Sequence, residues 1–115
     1  MNNWYIEYWH STEKNSVEYW LTQLNDAELK SVAKELNLLA CAGNELKMPH
    51  SKALSAGLFE LRERRYGDRI YFAFQEHQRI ILLMAGNKKS QQNDIILARQ
   101  RLAELERDAH ENKKL

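Results

Sequence analysis

The sequence predicts a single α+β domain with elements in the order β-α-α-β-β-β-α. Three patterns carry that prediction. Two apolar stripes of helical period each follow an N-x-x-E cap; two alternating segments flank a Tyr-Gly-Asp turn and lead into a nearly continuous apolar run; and a long amphipathic stretch closes the chain.

Taken in order, "WYIEYWH" (Trp4–His10) is rich in aromatic residues and reads as a first strand with Trp4, Ile6 and Tyr8 on one face. Asn15 and Glu18 form a capping pattern ahead of Val17, Trp20, Leu21 and Leu24, which recur at helical spacing. Asn25 and Glu28 repeat the device ahead of Leu29, Val32, Ala33, Leu36 and Ala40, and Gly43 ends this second helix as a left-handed cap. Two capped helices with so short a connection form an antiparallel hairpin that covers one face of a sheet. Residues 43–57 read as a loop. Phe59 and Leu61 then alternate with Glu60, Arg62 and Arg64, and Gly67 supplies the turn. On the return strand Ile70, Phe72 and Phe74 face one way and Arg69, Tyr71 and Ala73 the other. "RIILLMAG" (Arg79–Gly86) reads as a central strand covered on both faces, completing a three-stranded meander. Ile95, Ala98, Leu102, Leu105 and Ala109 mark a last helix that starts near Asn93 or Asp94, with Asp94 as its cap, and frays into a polar tail at about residues 108–115. If Phe59, Leu61, Ile70, Phe72 and Phe74 face the helical hairpin, the pleat puts Arg62, Arg64, Arg69 and Tyr71 together on an open opposite face.

At 115 residues the chain is one domain, large enough to bury roughly two-thirds of its unfolded surface without staples. No apolar run approaches the ~20 residues that span a bilayer, and the first residues lack the basic and apolar regions of a secretion signal. Cys41 is the one cysteine, which excludes an intrachain disulfide and suits a reducing cytoplasm; its place beside the second helical stripe makes it a small core residue. His10, His50, His77 and His110 are scattered singly, so no metal site and no cofactor is expected; His10, His77 and His110 read as surface residues. The four glycines are isolated, which excludes a phosphate-cradling loop.

The net charge of +1 conceals segregation. Residues 1–46 carry a net −4 and residues 47–101 a net +6. A local excess of this size makes a surface that attracts polyanions.

"HSKALSAGLFELRERRYGDRIYFAF", followed by "ILLMAGNKKSQQNDIILARQRL", resembles the RelE/ParE superfamily of bacterial toxins in its HigB-like, phage-associated branch. The matching positions are Lys52, Leu54, Gly57, Leu58, Glu60, Leu61, Arg62, Arg69–Phe72, Gly86, Lys88–Gln91, Asp94, Ile95 and Ala98. The resemblance implies the toxin of a type II toxin–antitoxin pair, a ribosome-dependent endonuclease of messenger RNA. Such an enzyme needs no nucleophile of its own, because the 2′-hydroxyl of RNA attacks the adjacent phosphate. Its partners would be messenger RNA, the ribosome and a helix-turn-helix antitoxin encoded by an adjacent gene, through which alone it would meet operator DNA. Arg62, Lys88, Lys89 and Lys52 are the candidate catalytic residues, joined by His50 as the one histidine placed for acid–base chemistry near neutral pH. Lys47, Arg64 and Arg69 are candidate RNA-phosphate contacts, and Tyr71 a candidate base-stacking platform. Classical RelE-type enzymes carry a tyrosine at the start of the last helix, where this chain reads Asn93, Asp94 and Ile95. That departure keeps two alternatives open: a ParE-like poison of DNA gyrase, and a catalytically inactive corepressor acting with its antitoxin.

Overall fold

The computed structural model describes residues 4–9 and 16–114. It contains strand β1 (Tyr5–Tyr8), helices α1 (Val17–Thr22) and α2 (Asp26–Ala42), strands β2 (Ser51–Ala53), β3 (Phe59–Glu63), β4 (Asp68–Gln75) and β5 (Arg79–Asn87), and helix α3 (Gln91–Lys114). The strands form one sheet in the order β1-β5-β4-β3-β2. β1 runs parallel to β5 and the other neighbours are antiparallel.

The predicted meander is present as β3, β4 and β5, and the predicted order gains one strand. β2 lies inside the stretch read as loop. "SKA" has no apolar alternation to announce it, and it is held by backbone pairing with Phe59–Leu61. The second cap stands as predicted, the Asn25 side chain accepting from the Glu28 amide at 2.9 Å. The cap of α1 is Ser16, whose hydroxyl accepts from the Tyr19 amide at 3.1 Å; Asn15 and His10 lie outside the described residues. Gly43 ends α2 at φ 55°, and a Cβ there would collide with the Trp4 indole.

Both faces of the sheet are covered. Leu61, Ile70, Phe72, Ile80, Leu82 and Ala85 pack against Val17, Val32 and Leu39 of the helical hairpin. On the other face Tyr71, Ala73, Ile81, Leu83 and Met84 pack against Ala98 and Leu102 of α3. β5 is therefore buried on both sides, as its apolar run requires. A bulge sets Tyr71 opposite Met84 but Phe72 opposite Leu82, leaving Leu83 as the extra residue. The Leu83 carbonyl accepts from the buried Arg101 guanidinium of α3 at 2.7 Å.

Three expectations are corrected. α3 starts at Gln91 and its helix extends to Lys114, past the point near residue 108 where the sequence predicts a polar tail. The face that carries Arg62, Arg69 and Tyr71 is roofed by α3 and is not open. Cys41 is exposed, because the buried stripe of α2 runs through Val32, Leu39 and Ala40 and the next residue turns away by about 100°. Among the described residues no helix is long and apolar enough to cross a membrane.

Candidate functional site

Two rows of cross-strand neighbours build the site. Lys52, Glu60, Tyr71 and Met84 are paired in succession across β2, β3, β4 and β5. In the adjacent row Arg62 stands opposite Arg69, and Arg69 opposite Gly86. Period two points Glu60, Arg62, Arg69 and Tyr71 to the α3 face, with Leu61 and Ile70 anchoring the strands from below.

Like charges directly opposite one another destabilise a ladder. Here a carboxylate offsets them: Glu60, 1% exposed, lies 3.5 Å from Arg62 Nε and 3.7 Å from Arg69 Nε. A third group fixes that carboxylate, the Gln91 side-chain amide donating to Glu60 Oε2 at 2.7 Å. Neither Nε makes a hydrogen bond, so the attraction is one of charge and the guanidinium forks are not consumed by it. The Arg69 side chain is nearly buried, whereas that of Arg62 is 28% exposed and one of its terminal nitrogens lies 3.9 Å from the Met48 sulfur. Arg62 is thus a directed, partly open cation, the form suited to gripping a phosphate in two places.

The start of α3 completes the site. The Asn87 side chain accepts from the amides of Lys89 (2.9 Å) and Ser90 (3.3 Å), and Ser90 Oγ accepts from the Asn87 amide in return. Asn87 thus caps the 3-10 turn Lys88–Ser90 that leads into α3, and Asp94, inside the first turn of α3, is not the cap. Asp94 receives a hydrogen bond from Ser90 Oγ at 2.5 Å. Gly86 is required beneath this pair, since a Cβ there would run into both the Asp94 carboxylate and the Ser90 hydroxyl. Burial pushes the Asp94 carboxyl up from its ordinary value, and the Ser90 hydrogen bond opposes the rise. Burial, then the carboxylates of Glu60 and Asp94, push the Tyr71 phenol well above its usual value, so it stays protonated.

The structure gathers Arg62, Arg69 and Lys52 in this lattice, with Lys88 and Lys89 exposed immediately after β5. Tyr71 belongs to the same lattice but is fully buried beneath α3, so it cannot serve as a stacking platform for a base. Three expected members stand elsewhere. The His50 carbonyl accepts from the Arg62 amide at 2.8 Å, but its imidazole Nδ1 is 2.9 Å from Glu35 Oε2 on α2. Arg64 follows the end of β3 and lines a cleft against α2, and Lys47 is exposed in the loop before β2.

Sequence reasoning missed Glu60 and Gln91 as a functional pair. Both fall in the motif, yet they are 31 residues apart and only the fold shows that they touch. Among the described residues no three His, Cys, Asp or Glu side chains are grouped to hold a metal ion.

The fold is similar to that of the free-state structure of a mutant of the E. coli toxin RelE, with a TM-score of 0.64 and 11% identity over 88% of this chain and 98% of that one. No curated protein matches the chain. Residues 19–103 match the family described as Phage derived protein Gp49-like (DUF891), a span that includes every member of the Arg62–Arg69 lattice and the start of α3. With the RelE fold beneath it, the chain belongs to the Gp49-like family of phage-derived proteins.

Proposed function

We propose that this protein is the toxin of a type II toxin–antitoxin system, of the HigB-like branch, and that it cleaves messenger RNA engaged by the ribosome. The observation that carries the reading is the partly open Arg62 guanidinium, held in direction by buried Glu60 beside Arg69 and fringed by Lys52, Lys88 and Lys89. A set of fixed cations on a rigid sheet matches what RNA self-cleavage lacks. The 2′-oxygen loses its proton and bonds to the adjacent phosphorus, the bond from phosphorus to the 5′-oxygen breaks, and the departing 5′-oxygen takes up a proton from an acid or from water. The products are a 2′,3′-cyclic phosphate and a 5′-hydroxyl.

In this scheme Arg62 stabilises the charge that builds on the phosphorane. Lys88, Lys89 and Lys52 hold the flanking phosphates in line. Asp94, the carboxyl beside the row that burial raises, exchanges the proton of the 2′-oxygen. His50 is given no step in the scheme because its Nδ1 turns to Glu35 on α2, the helix on the opposite face from α3.

The partner reading follows from the same surface. A cognate antitoxin with an acidic segment would be drawn to Arg62 and Lys88–Lys89, and its association rate would fall with salt.

Purified protein added to a translation extract should truncate a message within its coding region. An intact message together with blocked DNA supercoiling would select the gyrase-poison reading instead. Neither effect, with operator binding strengthened in the antitoxin's presence, would leave only a corepressor.

A further inference from the structure

An open cleft of about 500 Å³ lies between α2 and the β3–β4 turn, on the side of the sheet away from α3. Lys30 and Lys34 stand one helical turn apart on one wall, and Arg64 and Arg65 form the other. All four are exposed, and among the described residues none of them makes an ion pair.

The cleft's two carboxylates are turned inward and spent on the fold. Glu35 holds His50. Glu63, 4% exposed, accepts from the Ser31 hydroxyl at 2.8 Å and from the amides of Arg65 (2.7 Å) and Tyr66 (3.0 Å). Within the cleft lining, the two acids are engaged inward and the four bases face out.

The cleft lies at the same end of the sheet as the site described above, on the opposite face. Arg64 and Arg65 sit at the tip of the hairpin, one ladder pair (Glu63–Asp68) beyond Arg62 and Arg69. Asp68 stands opposite Asn87, which brings Lys88 and Lys89 to the same end of the sheet. The cations thus form a band from α2 round the hairpin tip to the α3 face. Tyr66, 36% exposed, lies on the tip with the Arg65 guanidinium 5.5 Å from its ring centroid. A bending track of cations with an aromatic ring at its edge suits single-stranded nucleic acid, whose phosphates follow the groove while a base stacks.

We propose that the α2–hairpin cleft is a second phosphate-binding site, which holds the same RNA strand away from the cleaved bond. The proposal rests on the reading of RNA as substrate.

The test is binding of a labelled, cleavage-resistant 2′-O-methyl RNA oligonucleotide across a range of salt. The proteins compared are wild type and Lys30→Gln/Lys34→Gln/Arg64→Gln, with far-UV circular dichroism to verify folding and the single Lys34→Glu variant as a second probe. The triple variant should bind about tenfold more weakly at low salt, and its plot of log K against log salt should be shallower by about 2, as expected for three lost phosphate contacts on a single strand. Unchanged affinity and slope would overturn the proposal. So would unchanged RNA binding with lost affinity for poly-glutamate, which would make the cleft a seat for an acidic polypeptide. The two readings fail separately. Weakened RNA binding by the variant supports the cleft even if wild type cuts no message, whereas a cleaving wild type matched in RNA affinity by the variant leaves the enzyme and removes the cleft.

Discussion

Arg62 and Arg69 stand directly opposite one another on adjacent strands, and the buried Glu60 carboxylate lies within 3.7 Å of both. The pair is asymmetric: the Arg69 side chain is closed off by the protein, whereas that of Arg62 is partly open to a ligand. One arginine is built into the scaffold and the other reaches the surface.

Arg62→Ala should therefore lower message cleavage by about 10²-fold, the loss typical of removing one transition-state charge stabiliser, with a melting temperature near wild type. Arg62→Lys should fall between the two, since it restores charge without the planar fork. Single-turnover cleavage in the translation extract measures this. Full activity in the alanine variant would place the residue outside the chemistry.

Glu60→Ala should act on stability first. It leaves two guanidinium groups side by side, one of them buried, and should cost about 3 kcal/mol, in the range for breaking a buried ion pair from one side. The midpoint of urea unfolding reads this directly. A wild-type midpoint would mean that water or a rotamer change reaches Arg69 freely.

Ser90→Ala removes the hydrogen bond that holds the Asp94 carboxyl down against burial, so its pKa should climb further. If Asp94 takes the proton in its ionised form, the acidic limb of the cleavage profile should move to higher pH. A profile unmoved by Ser90→Ala would assign the proton to another group.

Asp68 makes a pH-dependent contribution to folding. It stands opposite Glu63 on the hairpin, its Oδ2 is buried without a hydrogen bond, and burial, then the Glu28 and Glu63 carboxyls, push it from 3.8 to about 7. The folded state thus holds a proton that the unfolded state gives up, so this contribution is full below about pH 4 and is lost as pH rises through about 7. The difference in urea midpoint between Asp68→Asn and wild type should accordingly grow across that window, in favour of the variant. A constant difference would show that the aspartate titrates normally.

The strands of the hairpin were legible because period two is a local signal and a one-residue slip would have buried arginines beside Leu61 and Ile70. That same logic placed Arg62 and Arg69 on one face. It failed for Arg64, which lies past the last ladder pair, Glu63–Asp68, where the pleat no longer dictates direction. The α3 stripe announced a helix that packs, but not on which face, so the roof over Tyr71 was invisible. The roles of Asp94 and Gly86 depend on a close approach between strand end and helix start, which the seven residues between them do not encode in any period. β2 was missed because three residues held by backbone pairing leave no side-chain pattern.

The parallel pairing of β1 with β5 sets Tyr5 beside Arg79. A chain made from its N-terminus at about 5–20 residues per second presents β1 several seconds before its only neighbour in the sheet exists. β4 must wait for the same strand on its other side. β2, β3 and β4 can pair among themselves, but β1 joins the sheet only through residues 79–87, and α3 follows those in the chain. A nascent chain of this design therefore carries β1 as an unpaired edge until the strand about seventy residues further on has been made.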